Sequence, residues 1–111
     1  MTSHPSDEER AAAALPLVQR ALAALAGSDA GALTEALRED AVVLTASGRE
    51  EGARHVAFTL TGACHDATSW DPPRQHGAHA LLAFTRADGS RSAILIESRR
   101  DAIVFAATLP G

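Results

Sequence analysis

The stretch from residue 78 to residue 109 constrains the fold more than any other part of the chain. It divides into three apolar runs, residues 78–86, 92–99 and 101–109, with short turns between them. Asp88-Gly89 between apolar runs is a strong hairpin signal. The runs are rich in Ile, Leu, Val, Phe and Thr, which strands favour. The stretch therefore predicts three consecutive antiparallel strands.

These predicted strands are apolar on both faces. Strand alternation places Leu81 and Leu82 on opposite faces, and it places Ile103 and Phe105 opposite Val104. An antiparallel sheet usually leaves one face to water. Because the helices before this stretch can cover only one face, the sequence predicts a homodimer in which two copies cover each other's outer face.

Composition narrows the class of protein. A chain of 111 residues with 46% hydrophobic residues fits one domain with its own core. A net charge of −4 favours neither nucleic acid nor an anionic membrane as a partner. No apolar run reaches the roughly 18 residues of a membrane span. The single cysteine, Cys64, suits a reducing compartment, so we expect a cytoplasmic protein.

The N-terminus is predicted to be an extension of the main domain. Residues 1–5 are expected to be a frayed tail, followed by a helix with the capping-box pair Ser6 and Glu9. Pro16 should kink or restart this helix. We therefore divide the chain into a partly helical extension, residues 1–16, and a single domain, residues 17–111.

The order of predicted elements indicates an α+β fold. A helix is expected from residue 17 to Gly27, followed by a short helix that Asp29 caps and residues 38–40 close. A strand over residues 41–46 comes next, and then a third helix that begins at Glu50 or Glu51 and stops at Gly62. A strand within residues 63–70 and a turn at residues 71–73 complete this part of the chain. A helix-rich half followed by consecutive strands predicts helices packed on one mainly antiparallel sheet.

Several local strings, taken in order, carry a resemblance to a known family. They are Val18-Gln19-Arg20, Ala23-Ala24-Leu25, Asp29, Leu33, Leu37, Asp40-Ala41-Val42-Val43, Gly52 before the third helix, and residues 77–103. Their order resembles the nuclear transport factor 2-like superfamily, especially its SnoaL-like branch. The last of them resembles SnoaL-like domains appended to some sigma factors. The resemblance implies a cone of helices on a strongly curved sheet, a pocket at its wide end and frequent dimerisation through the sheet's outer face.

One member of that superfamily, ketosteroid isomerase, shows what is missing here. Its oxyanion-donating tyrosine follows the first string, where this chain has Ala21. Its general base, an aspartate, falls at Leu44-Thr45-Ala46, and Thr45 is no base near neutral pH. Its second acid falls near Glu97. The resemblance therefore predicts a protein without the isomerase's catalytic set.

Four histidine or cysteine residues invite a metal interpretation. Zinc needs three or four such ligands that converge, and the candidates are Cys64-His65, His76 and His79. On a strand, residues three apart face opposite ways, and Pro72-Pro73 indicates a loop with surface histidines. We therefore expect no metal and no other cofactor.

Two acid–base pairs are candidates for catalysis. Asp40 and His55 would combine a carboxylate with a helix-borne imidazole, although Asp40 ending a helix and His55 facing water is the favoured interpretation. His79 and Glu97 form the second pair. Four arginines near the hairpin ends are interpreted as solvated edge protection, with a phosphate or nucleic-acid site as the alternative: Arg86, Arg91, Arg99 and Arg100.

Three functions are consistent with these features. The first is binding of a small apolar molecule in the cone pocket, lined by Trp70, Phe58, Thr45 and Phe84. The second is an isomerase, cyclase or hydrolase that uses an unrecognised acid–base pair. The third is an accessory or interaction module related to the sigma-factor-appended domains. A cone filled by Phe58, Phe84 and Phe105 would favour the third, and an open cone with a histidine near an acid would favour the second.

Overall fold

The structure, a computed structural model, describes residues 6–110 apart from the side chain of Asp7. The expected tail at residues 1–5 lies outside the described residues. The described residues form three helices and seven strands: α1 (Asp7–Ala26), α2 (Ala30–Ala36), β1 (Leu37–Thr45), β2 (Gly48–Glu51), α3 (Ala53–Ala63), β3 (Ala67–Trp70), β4 (Arg74–His76), β5 (His79–Arg86), β6 (Arg91–Arg99) and β7 (Ala102–Pro110). No helix in the described part of the chain is both long and apolar enough to span a membrane.

Capping residues flank helix α1 at both ends, Ser6 before it and Gly27 after it. The Ser6 hydroxyl accepts a hydrogen bond from the Glu9 amide at 3.2 Å, and Gly27 ends the helix. The expected restart at Pro16 does not occur, because α1 runs through this residue without interruption. Pro16 has no backbone N–H, so the carbonyl of Ala12 lacks its usual helical donor. Both residues are exposed, and water can therefore satisfy this carbonyl. The helix thus crosses the boundary expected at residue 16.

The first strand begins earlier than the sequence indicates. Residues 38–40 were expected to close α2, but β1 starts at Leu37 and includes them. Leu37 is the first residue of β1 to pair with β7, opposite Ile103, and an irregularity in the pairing follows before Val42 pairs with Phe105. The three polar residues therefore lie in an exposed strand segment, where their charges contact water.

A hairpin replaces the expected start of the third helix. Ala46-Ser47 turns β1 back into β2, one residue earlier than the sequence indicates, and Glu50 and Glu51 pair with Val43 and Val42. Helix α3 therefore starts at Ala53 rather than at Glu50 or Glu51. Local propensity favours a helix for the glutamates, but pairing with β1 satisfies their backbone groups within the sheet.

A second short hairpin lies before β5. Strand β4 pairs with β5 through a turn in which Gly77 has a φ of 59°, a conformation that glycine adopts readily. His76 and His79 are direct cross-strand partners in this hairpin. The expectation that they face opposite ways is therefore wrong, because residues at the two ends of a two-residue turn share one face.

The described strands form one sheet in the order β2-β1-β7-β6-β5-β3, with β4 also paired to β5. Neighbouring strands are antiparallel except for β1 and β7, which are parallel. This arrangement confirms the predicted α+β fold with a mainly antiparallel sheet. The buried core joins the helices to one face of the sheet, which we call the inner face.

The opposite, outer face is apolar but only partly buried. A bulge between β6 and β7 leaves Val104 without a direct partner, so Ile103 pairs with Ser98 and Phe105 pairs with Glu97. Ile103 is buried, whereas Phe105 lies on the outer face. The expectation that these two side chains lie on the same face of the strand is therefore wrong. The partly or fully exposed apolar residues of this face are Val42, Leu44, Leu81, Ala83, Ala93, Leu95, Phe105, Ala107 and Leu109.

Candidate functional site

A cleft opens between the first turns of α1 and the end of the sheet where β5 begins and β6 turns into β7. Its volume is about 630 Å³. It is lined by Arg10, Ala13, Ala14, Ala78, His79, Glu97, Ser98, Arg99 and Arg100. The lining comes from both ends of the chain, and the tertiary fold alone brings it together. We call this feature the cleft.

Hydrogen bonds to backbone carbonyls hold the walls of the cleft together. The Gln75 side-chain amide donates to the Ala11 carbonyl at 2.8 Å, which attaches the β4–β5 hairpin to α1. The Ser98 amide donates to the Ala78 carbonyl at 2.9 Å, and the Ser98 hydroxyl donates to the same oxygen at 3.3 Å. The turn before β5 is therefore held to both α1 and β6.

His79 and Glu97 form a hydrogen-bonded pair at the edge of the cleft. They are direct cross-strand partners on β5 and β6, and His79 Nε2 lies 3.1 Å from Glu97 Oε1. His79 Nδ1 has no partner among the described residues, so this nitrogen is available to exchange a proton. The carboxylate orients the ring, as in many acid–base pairs.

The charges of the cleft are mainly positive. Among the described lining residues, Arg10, Arg99 and Arg100 are accompanied by one carboxylate, that of Glu97. Arg99 Nε lies 3.7 Å from Glu97 Oε2, whereas Arg10 and Arg100 have no ion-pair partner among the described side chains. With neutral histidine, the cleft carries about two positive charges on a chain whose net charge is −4.

The four expected pocket-lining residues lie in different parts of the fold. Trp70 and Phe84 contact each other, with ring centroids 4.7 Å apart, and Phe84 is buried in the core. Phe58 is 66% exposed on α3. Thr45 lies at the β1–β2 turn, where its hydroxyl accepts from the Ser47 amide at 3.1 Å. None of the four lines the cleft.

The other expected acid–base pair has different partners. Asp40 forms an ion pair with Arg38, and the hydrogen bond from that guanidinium lowers the pKa of the Asp40 carboxyl. His55 Nε2 lies 4.0 Å from Glu50 Oε2. Both Asp40 and His55 are exposed. The geometry therefore assembles only the second candidate pair, His79 and Glu97.

The inner face of the sheet is packed with side chains. Leu82, Phe84, Ile94 and Ile96 are at most 2% exposed on this face. Phe84 is the one expected filler found there, since Phe58 lies on the surface and Phe105 on the outer face. Ala21, at the position of the isomerase's tyrosine, is fully buried. The candidate site therefore lies at the end of the sheet rather than within the cone.

Sequence reasoning missed five lining residues, which are Arg10, Ala13, Ala14, Ala78 and Ser98. No local signal connects Arg10, in the first turn of α1, with the β6–β7 turn near the other end of the chain. In the described part of the chain, no group of three or more His, Cys, Asp or Glu side chains has a metal-binding arrangement.

Comparison with known proteins establishes the fold. No protein-family model matches the sequence, and no curated protein matches it significantly. An NTF2-like protein of unknown function from Mesorhizobium loti has a TM-score of 0.74 at 20% identity, over 100% of this chain and 99% of that one. An NTF2-like protein from Anabaena variabilis has a TM-score of 0.68 at 17% identity, over 100% and 95%. The chain has the NTF2-like fold.

The same likeness extends to a designed protein. A de novo designed protein with a curved β-sheet has a TM-score of 0.71 at 13% identity, over 87% of this chain and 84% of that one. The NTF2-like fold expected from the resemblance is therefore confirmed, while the SnoaL-like branch stays a prediction. At such low sequence identities, the likeness supports the same arrangement of helices and strands and does not indicate a shared activity.

Proposed function

We propose that this NTF2-like protein binds a small molecule in the cleft and lacks the isomerase's catalytic set. The cleft carries the proposal, since its volume of about 630 Å³ lies within the roughly 300–1,000 Å³ of ligand sites. The expected ligand was an apolar molecule inside the cone. Because the inner face is packed, the proposal places the ligand at the end of the sheet, with its apolar part against Ala13, Ala14 and Ala78.

Blocking the cleft tests this proposal. Ala13 is exposed and lines the cleft, so Ala13→Phe should fill it without disturbing the core. Ala12→Phe is the matched control, since Ala12 is an exposed neighbour on the same helix outside the cleft. Ligand-detected NMR with a library of small organic molecules should show binding to the native protein and to Ala12→Phe, and none to Ala13→Phe. Equal binding to both variants would place the ligand elsewhere.

The absence of isomerase chemistry is a separate prediction. Ala21 has no proton to donate, and the Thr45 hydroxyl is held by the backbone of its turn. We expect no turnover of a β,γ-unsaturated ketosteroid above the buffer rate. Steady-state absorbance measurements check this, and the prediction fails if the protein accelerates the reaction well beyond buffer alone.

An acid–base enzyme acting at the same cleft is a second candidate function. The 3.1 Å contact between His79 and Glu97 favours it, because an oriented imidazole with one free nitrogen can take or give a proton. A screen of small esters and ketones would seek hydrolysis, isomerisation or cyclisation. Any activity found should fall about 100-fold or more in His79→Ala, and it should be unchanged in His55→Ala, an exposed histidine outside the cleft. Equal activity in both variants would exclude this candidate.

We further propose that the protein is a homodimer, as the sequence predicted. The apolar outer face supports this, because Leu81, Leu95 and Phe105 remain partly exposed on a single chain. A contiguous apolar face of this kind is typical of a surface that another protein covers. The lone buried cysteine supports a cytoplasmic setting.

A further inference from the structure

We propose that the ligand of the cleft is an organic anion, whose charged group is held by Arg10, Arg99 and Arg100. This inference rests on the proposed function, since it names the class of molecule that the cleft binds. A carboxylate and a phosphate ester share the necessary chemistry, a delocalised negative charge with several acceptor oxygens. Guanidinium groups bind such oxygens in pairs, with a geometry that lysine does not match.

The arginines at the two ends of the sheet differ in whether they have carboxylate partners. At the β5–β6 hairpin, Arg86 pairs with Asp66 at 2.7 Å and Arg91 pairs with Asp71. The cationic groups of the hairpin are therefore neutralised within the chain. At the cleft, Arg99 pairs with Glu97 at 3.7 Å, while Arg10 and Arg100 have no such partner among the described residues.

The three arginines of the cleft carry like charges, and the described lining residues include one carboxylate, that of Glu97. The arginines come from two segments far apart in sequence, so no local pattern requires them to meet. Like charges around one cleft repel each other. Arg10 also lies in the first turn of α1, where the helix dipole adds positive potential. An anion in the cleft would relieve the repulsion.

The backbone at Arg100 adds an independent observation. Its φ is 58°, in the left-handed region that glycine and asparagine occupy most readily. A long cationic side chain at such a position gives the turn no conformational advantage. The strained turn nevertheless presents Arg100 to the cleft, which is consistent with a role in binding.

The remaining lining indicates that the anion has an apolar body. Ala13, Ala14 and Ala78 form a wall of short apolar side chains beside the guanidinium groups. A cleft of about 630 Å³ also exceeds what a single carboxylate or phosphate group fills. The alternative account, solvated edge protection by arginines, requires neither the apolar wall nor their convergence, and it predicts no affinity for anions.

Matched ligands test the proposal on the full-length protein. Titration calorimetry would compare 4-phenylbutyrate with its neutral amide, and would add phenyl phosphate and inorganic phosphate. We expect the acid to bind roughly tenfold tighter than the amide, or more, with an affinity that falls as salt is added. Tighter binding of phenyl phosphate would assign a phosphate ester as the preferred class, and tighter binding of phenylbutyrate a carboxylate.

Arginine variants complete the test. Arg10→Gln and Arg100→Gln change exposed side chains and should each weaken binding of the acid by roughly tenfold while leaving binding of the amide unchanged. Arg20→Gln is the matched control, an exposed arginine of α1 outside the cleft, and it should bind as the native protein does. Equal affinity for acid and amide would overturn the anion inference and leave the proposed function standing. No binding of any of these molecules by the native protein, together with no hit in the library, would contradict both.

Discussion

At the scale of single residues, Cys64 shows how burial controls reactivity. The thiol is 2% exposed, and its sulfur donates to the Leu60 carbonyl at 3.2 Å. Burial raises the pKa of the Cys64 thiol from its ordinary 9.0 to about 11. At pH 8 only about one thiol in a thousand would then be ionised. Because the thiolate is the reactive form, Cys64 is expected to act as a small core residue rather than as a nucleophile.

We therefore predict slow modification of Cys64 in the folded protein. At pH 8, a disulfide reagent such as Ellman's should label the native chain far more slowly than the chain unfolded in urea. The unfolded thiol ionises near pH 9.0 and the folded one near 11, so the unfolded state loses its proton first and stability should fall as pH rises between these values. Cys64→Ala removes this dependence and serves as the control. Rapid labelling of the native protein would contradict the burial argument.

Arg86 stabilises the fold through several contacts at once. Its guanidinium donates to Asp66 at 2.7 Å and to the Ser92 hydroxyl at 2.9 Å, and it lies 5.1 Å from the centroid of the Phe84 ring. These contacts join β5, β6 and the segment that precedes β3. A partly buried, charge-assisted network of this kind contributes more than an exposed ion pair.

We predict that Arg86→Ala lowers the free energy of unfolding by about 1–3 kcal/mol. Arg91→Ala is the control, since its ion pair with Asp71 is more exposed and should contribute only about 0–1 kcal/mol. Arg86→Lys keeps the charge but loses the planar fork, and it should fall between the native protein and Arg86→Ala. Urea unfolding measures all three, and equal losses in Arg86→Ala and Arg91→Ala would refute the network.

At the scale of elements, two glycines have opposite roles. Gly62 lies in the last turn of α3 with nothing within 4 Å of an added Cβ. Gly89 lies in the β5–β6 turn with a φ of 86°, which other residues adopt only with strain. We predict that Gly62→Ala raises the free energy of unfolding by up to about 1 kcal/mol, and that Gly89→Ala lowers it by about 1 kcal/mol or more. Thermal or urea unfolding compares them, and a shift of the same sign in both would be inconsistent with this account.

Element boundaries were predicted where local chemistry decides them. Ser6, Gly27 and Asp29 cap helices as expected, because a cap depends on a side chain and the backbone groups a few residues away. Strand β2 was missed because its glutamates acquire their conformation from pairing with β1. Strand β4 was not assigned either, since three polar residues become a strand only beside β5. Pairing across the chain decided these elements.

At the scale of the whole molecule, the outer face is the basis for the predicted dimer. Because of the bulge beside Val104, Phe105 lies on the outer face and Ile103 is buried. Phe105 is therefore the position whose substitution tests the dimer. Phe105→Glu should dissociate the dimer or make the protein insoluble, since the carboxylate would be buried in an apolar interface. Phe58→Glu is the matched control, an exposed phenylalanine on α3, and it should remain a soluble dimer.

Light scattering at micromolar concentration measures both variants and the native chain. A native mass near 11.5 kDa would exclude the dimer, and a mass near twice that would support it. If Phe105→Glu remains a soluble dimer, the interface lies on another surface. If Phe58→Glu alone dissociates, the interface includes α3 rather than the sheet.

The sequence by itself determined the fold class, the three long C-terminal strands and the two apolar faces of the sheet. These follow from side-chain periodicity, turn residues and caps, which act over a few positions along the chain. It also placed His79 and Glu97 among the candidates, although their pairing depends on the register of β5 and β6. Register is set by pairing and by bulges, and the bulge at Val104 shifts the third strand by one residue. Only the tertiary structure decided that the inner face is packed and that Arg10 meets Arg99 and Arg100 at the cleft. Such a meeting joins residues far apart in sequence, and it depends on how helix α1 packs against the sheet, which no local pattern encodes.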